Sequence, residues 1–192
     1  MTDVTDLVSR VAARAEGDSG PLPPGTSPED IAEAERLLGF RLPPLLAKLY
    51  QDVADGGFGP PGGFLPLTGE GPTVLSTYAS ERRSSARDAI PYWPEGVLPV
   101  LDWGCGMYAA VDTRTEEGAV LLYEPNAVDD DGAAAWFLDA GSLAAWLETW
   151  LAGTGWYRED ADEDDLPLGG PVPWEEAAAR IAEQPAGREG PA

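Results

Sequence analysis

The chain has 192 residues, 43% apolar and 24% charged, with 34 acidic against 12 basic side chains and a net charge of −22. That mixture suits one globular domain with flanking extensions, and the charge repels nucleic-acid backbones and anionic membranes while attracting basic protein surfaces. Histidine is absent and Cys105 is the sole cysteine, which removes a nucleophile–histidine–acid triad, an intrachain disulfide and a thiolate zinc cluster.

At the start of the chain, Asp3 and Asp6 stand where a signal peptide carries positive charge, and no apolar h-region follows. No run approaches the roughly 18 apolar residues of a membrane span. A cytoplasmic location is therefore expected, as the single cysteine also suggests. Residues 2–15 read as an amphipathic helix with Val4, Leu7, Val8 and Val11 on one face. Residues 17–25, rich in Pro, Gly and Ser, read as a linker. Ser27 then opens a helix with a full set of start signals. It can cap, Pro28 suits the first helical position, and Glu29 and Asp30 complement the helix dipole. Ile31, Ala34, Leu37 and Leu38 form its expected buried face, and Gly39 stops it.

A second helix begins near Pro43 or Pro44, repeats Leu45, Leu49 and Val53 every four residues, and ends at Asp55-Gly56-Gly57. Residues 58–67 read as a loop with one brief strand at Phe64-Leu65. Residues 73–86 read as a helix with Val74, Leu75 and Tyr78 inward and 81–87 solvated. From Val97 the pattern changes to short apolar runs split by turn residues, at 97–101, 107–111, 119–123 and 135–138. These read as successive antiparallel strands, with a hairpin loop at 113–118. Ser142 caps a closing helix whose stripe is Leu143, Trp146, Leu147, Trp150 and Leu151.

Beyond Tyr157, six of the seven residues of 159–165 are acidic. Pro167 to Pro173 excludes regular helix and a central strand. Trp174, Ala178 and Ile181 then share a face of a short helix within 173–183. The chain thus divides into an N-terminal helix and linker (1–26), a main domain (27–157) and an acidic, proline-rich extension (158–192). The element order gives an α+β fold, with an antiparallel sheet of four to five strands, six at most, packed with helices.

Ile31 to Gly39 (IAEAERLLG), then Leu42-Pro43-Pro44, then a helix closing on Asp55-Gly56-Gly57, resembles the opening of the SUKH superfamily (Smi/Knr type). There an E-x-x-L-G-x-x-L-P pattern leads into a helix ending Asn-Gly-Gly or a variant. Leu101-Asp102-Trp103-Gly104 and the helix from Ser142 through Leu147 carry the resemblance across about residues 27–152. Asp55 replaces a frequent Asn, and either side chain serves a helix-end turn. The resemblance implies an α+β domain that acts by binding other proteins. Many bacterial members are immunity proteins that neutralise toxins, often nucleases. Fungal relatives are regulatory scaffolds.

Local motifs offer little chemistry. Gly104 to Ala109 matches G-x-G-x-x-A, but strand residues follow where a dinucleotide site needs a helix, so a strand–turn–strand corner is expected. Cys105, with no histidine to activate it, reads as buried and inert. Asp129-Asp130-Asp131-Gly132 invites calcium, yet an EF-hand frame puts Ala127 and Leu138 at its first and last ligand positions. Asp102, Asp112 and Glu124 could pair as acid and base in a hydrolase, but solvated or turn-capping carboxylates are the default.

No catalytic residue, cofactor or metal is assigned. The acidic loops remain as a docking surface: Glu116, Glu117, Asp129, Asp130, Asp131, Glu159 and Asp160. Trp136, Trp156 or Tyr157 could act as aromatic anchors, Trp136 reading better as core. The expected partner is a basic protein, above all a toxin domain whose active site is occluded. A scaffold role is the alternative, and a carboxylate-based hydrolase stands third.

Overall fold

The computed structural model describes residues 3–128, 132–155 and 172–183. Helix α1 spans Val4–Ser19. Asp3 caps it, its carboxylate accepting from the Thr5 N–H at 2.8 Å. Leu7, Val8, Val11 and Ala15 are buried, whereas Val4 is exposed in the first turn. The helix continues past the expected end at residue 15, through Gly17. A glycine costs only about 1 kcal/mol in a helix, and the Arg14–Asp18 pair spans the same turn at 2.5 Å. The connecting segment is therefore shorter than 17–25 and begins at Gly20.

Helix α2 spans Pro28–Leu38, with the Ser27 hydroxyl accepting from the Asp30 N–H at 3.1 Å. Gly39 closes it at φ +83°, the left-handed stop. Ile31 and Ala34 are buried, but Leu37 is 60% exposed and Leu38 half-buried. Leu37 is six residues past Ile31, which carries it round to the rim of the apolar stripe. Helix α3, Pro44–Asp52, buries Leu45, Leu46, Leu49 and Tyr50, while Val53 lies just beyond it, half-buried.

Helix α3 stops at Asp52 with Val53 as its cap, earlier than the expected end at Asp55, and Asp55 instead joins segments. Its Oδ1 accepts from the Leu67 N–H at 2.7 Å and the Thr26 hydroxyl at 3.1 Å, joining three segments. Gly56 lies against the Phe64–Pro66 backbone, and the Gly57 N–H donates to the Phe64 carbonyl at 2.8 Å. Phe64 forms the expected brief strand contact, bridging Leu101.

Helix α4, Val74–Ser85, begins with a Thr73–Ser76 capping box and buries Val74 and Tyr78. Its far end is not simply solvated. Ser85 is fully buried, its hydroxyl accepting from the N–H groups of Tyr92 and Trp93, both at 2.8 Å. Arg82 donates to the Trp93 carbonyl at 2.6 Å. The last turn of α4 thus fixes the segment leading into the sheet.

Five antiparallel strands follow: β1 Val97–Gly104, β2 Met107–Asp112, β3 Val120–Tyr123, β4 Trp136–Ala140 and β5 Val172–Pro173, in the order β1-β2-β3-β4-β5. A proline is tolerated in β5 because that strand is short and at the edge. Helix α5, Leu143–Ala152, is capped by Ser142 and buries Leu143, Trp146, Leu147 and Trp150. It packs against α1, α3 and β4. Arg10 of α1 forks onto Glu148 of α5 at 2.8 and 2.5 Å, so the N-terminal helix is docked onto the domain.

Tyr108, Tyr123 and Trp136 are register partners on neighbouring strands and share the other sheet face. Trp93 covers them, its ring 5.6, 5.2 and 4.9 Å from theirs, with its indole N–H on the Val97 carbonyl. Helix α6, Ala177–Ala182, covers the opposite end of this face near Asp112. Its buried side is Ala177, Arg180 and Ile181, and Ala178 is exposed. Ile181 is buried as expected, but the helix begins only at Ala177, which takes the buried place expected of Ala178 and leaves Trp174 half-buried before the helix.

Candidate interaction surface

The β2–β3 connection places Glu116 and Glu117 together on an exposed loop. The loop is tied down on every side. The Thr113 N–H and hydroxyl both donate to the Gly96 carbonyl, at 2.9 and 2.8 Å. The Gly118 N–H donates to the Thr115 hydroxyl at 3.2 Å, and the Leu143 N–H at the start of α5 donates to the Glu117 carbonyl at 3.0 Å. Gly118 has φ +59°, and a Cβ there would lie 2.9 Å from Val111 and 3.2 Å from the Pro43 ring. The two carboxylates are thus presented on a fixed backbone, and no described cation pairs with either. The other acidic candidates, Asp129, Asp130, Asp131, Glu159 and Asp160, lie outside the described residues, as do Trp156 and Tyr157.

Trp136 is core at 1% exposure, with its indole N–H on the Tyr92 carbonyl at 2.8 Å. Cys105 is exposed, contrary to the burial expected from sequence. It sits at φ +53°, followed by Gly106 at φ +81°, in the two-residue turn joining β1 to β2. Positive φ at both central positions is the signature of a type I′ hairpin, which projects its tip into solvent. The G-x-G-x-x-A stretch is the expected strand–turn–strand corner.

The three acids weighed as a hydrolytic pair each have a structural partner. Asp102 accepts from the Gly104 N–H at 2.7 Å, and Glu124 accepts from the Asn126 N–H at 2.8 Å. Asp112 is not a solvated carboxylate. It is 5% exposed, takes two hydrogen bonds from Arg180 at 3.1 and 2.7 Å, and accepts from the Arg114 N–H at 3.1 Å. This pair floors an open cleft of about 590 Å³ between α6 and the hairpin loop, also lined by Arg114, Leu138 and Trp174. Arg114 is paired with Glu183 at 3.0 Å, so both guanidinium groups of the cleft are already neutralised.

At the other end of the same sheet face lies a feature absent from the sequence reading. Glu81 of α4 receives the Tyr92 hydroxyl at 3.0 Å and faces the Tyr108 hydroxyl at 3.5 Å. Burial, with the Glu81 charge second, pushes both phenols up to about 12. Tyr123 stacks on Tyr92 at 5.9 Å and is raised further, again mainly by burial. One signal was present: Tyr108 lies on the strand face that bears Ala110 and Asp112. The link to Glu81 depends on how α4 crosses that face, which no local spacing encodes.

The element order, the five-stranded antiparallel meander and the helices docked on both faces define an α+β domain of the SUKH type. The model of the SMI1 / KNR4 family (SUKH-1) matches residues 25–149. The chain belongs to that family, and the match spans nearly the same residues as the motifs read from the sequence. Comparison with curated proteins gave no match. No described helix is long and apolar enough to cross a membrane.

Proposed function

We propose that the protein is a non-catalytic binding domain that acts as an immunity protein, occluding the active site of a basic toxin domain, with a nuclease as the leading class. The observation that carries this reading is the anchored β2–β3 loop, which holds Glu116 and Glu117 forward without a described cation to neutralise them. A preformed loop loses little conformational entropy on docking. A net charge of −22 adds long-range attraction for a basic partner. Family membership supports a binding role, and the engagement of Asp102, Asp112 and Glu124 in structural contacts argues against a carboxylate hydrolase.

The test is a protection assay. Candidate toxin domains, beginning with any encoded beside its gene, are expressed in cells with and without the protein. Rescue of growth, with association that slows as salt is added, supports the reading. A screen in which no toxin is neutralised, with several weak partners instead, favours the scaffold alternative.

A further inference from the structure

The hairpin loop is a docking surface built of charge alone. The opposite end of the sheet offers something more selective. Glu81 is held between two phenols, Tyr92 at 3.0 Å and Tyr108 at 3.5 Å, both half-buried. Beneath them lies a packed aromatic floor of Trp93, Tyr123 and Trp136, with ring centroids 4.7 to 5.2 Å apart. Asp88 and Asp102 are exposed at the rim, close enough to oppose ionisation of Tyr92 and Tyr108 respectively. Among the described residues no guanidinium or ammonium pairs with Glu81, Asp88 or Asp102. Arg82, the next residue on α4, is turned to the Trp93 carbonyl.

A carboxylate fixed by neutral phenols on an aromatic bed is complementary to one kind of group. Tyr92 keeps a ring face stacked on Tyr123, so the attraction for a cation comes from the Glu81 carboxylate. A planar guanidinium can also fork onto the carboxylate, which a compact ammonium cannot do equally well. The geometry points to Glu81, Tyr92 and Tyr108 as a receptor for an arginine side chain of a basic protein partner. This rests on the binding role proposed above and adds a selective anchor to it, distinct from the Glu116–Glu117 loop.

The test uses the full chain and two probes, hexa-arginine and hexa-lysine peptides. Binding is followed by amide NMR shifts, with tryptophan fluorescence, to which Trp93 and Trp136 contribute among seven tryptophans, as a second signal. Hexa-arginine is expected to bind more tightly than hexa-lysine and to shift resonances around Glu81, Tyr92 and Tyr108. Glu81→Gln should weaken it about tenfold. The Glu16→Gln/Glu29→Gln variant, at two exposed helix carboxylates, removes more charge, yet should stay within about twofold of the parent, the range of general charge screening. Tyr92→Phe keeps the ring stack and removes only the hydroxyl that positions Glu81, so it gives a second reading if Glu81→Gln unfolds. Equal affinity for the two peptides, or equal weakening by the Glu81→Gln and Glu16→Gln/Glu29→Gln variants, overturns the site. Loss of this site with toxin protection intact leaves the immunity reading standing. Arginine capture at Glu81 by a protein that protects no cell does the reverse.

Discussion

Arg180 reaches from α6 to Asp112 on β2 with hydrogen bonds of 3.1 and 2.7 Å, and the two side chains are only 7% and 8% exposed. The contact joins residues 68 positions apart. It is what seats the 172–183 segment on a sheet that is otherwise contiguous in sequence. Trp174 adds an edge-on contact with Trp136 and lies under the Arg180 guanidinium at 5.3 Å.

Breaking this pair leaves either a buried carboxylate without its partner or a buried guanidinium with only Glu176 at 3.5 Å, a loss of up to about 3–5 kcal/mol where the group cannot escape to water. Here α6 can detach, so the loss is limited to the energy of its docking. Arg180→Ala is expected to speed amide exchange across 177–182 while β1–β4 keep their protection. Asp112→Ala should do the same. Joint replacement by Leu at 112 and Met at 180 should restore protection, since an apolar pair of similar volume removes both desolvation costs. Unchanged exchange in both single variants would show that the apolar contacts of Ala177 and Ile181 suffice.

Trp146 tests the opposite layer. It is 1% exposed, meets Phe64 edge-on at 6.0 Å and donates its indole N–H to Asp139 at 2.6 Å. Trp146→Ala should cost about 3–5 kcal/mol in urea unfolding. Trp146→Phe retains most of the apolar volume but leaves Asp139 without that donor, so an intermediate loss is expected. A fully stable alanine variant would remove Trp146 from the core.

Two glycines separate backbone strain from crowding. Gly39 has φ +83° with no atom within 4 Å of the place a methyl group would occupy, so Gly39→Ala should cost about 1–2 kcal/mol from conformation alone. Gly56 has φ +85°, and a Cβ would lie 2.7 Å from the Pro66 nitrogen and 2.8 Å from the Phe64 carbonyl oxygen. Those are backbone atoms fixed by the strand bridge, so Gly56→Ala should cost about 2–5 kcal/mol, the sum of strain and overpacking. Thermal melts of both variants give the comparison. Equal losses would mean that the 64–66 segment yields freely.

What could be read in advance follows from the range of each signal. Ser27, Pro28 and Gly39 act on the backbone within a few residues, and the helix they bound was legible to the residue. The short apolar runs from Val97 onward likewise gave four strands and the corner between the first two, although Cys105 at its tip was expected to be buried. Burial at the margins was harder. Leu37 and Val4 look apolar enough to be core but stand at the edge of their stripes. Asp112 and Arg180 were opaque because neither position predicts a partner 68 residues away. The clue was a carboxylate on a strand whose neighbours Ala110 and Val111 are fully buried. Of the candidate surface, Glu116 and Glu117 lie where the turn signals put them. The Glu81 cluster depended on the path of α4, and so on tertiary packing.

The tyrosines around Glu81 provide a pH test with a defined direction. A phenol is neutral while protonated, and burial favours that neutral form in the folded protein. Tyr92 and Tyr108 are raised from 10.0 to about 12, by burial first and the Glu81 charge second. Below pH 10 the phenols are protonated in both folded and unfolded chains, and their contribution to stability is fully present. As pH rises from about 10 toward 12, the unfolded chain releases these protons while the folded protein retains them, so stability falls across that window. Ultraviolet titration should show delayed tyrosinate formation, and Glu81→Gln should draw Tyr92 and Tyr108 back toward 10 without abolishing the delay, because burial persists. Titration of both phenols at the ordinary value in the folded parent would mean that Glu81 and its tyrosines are open to solvent and not organised as described.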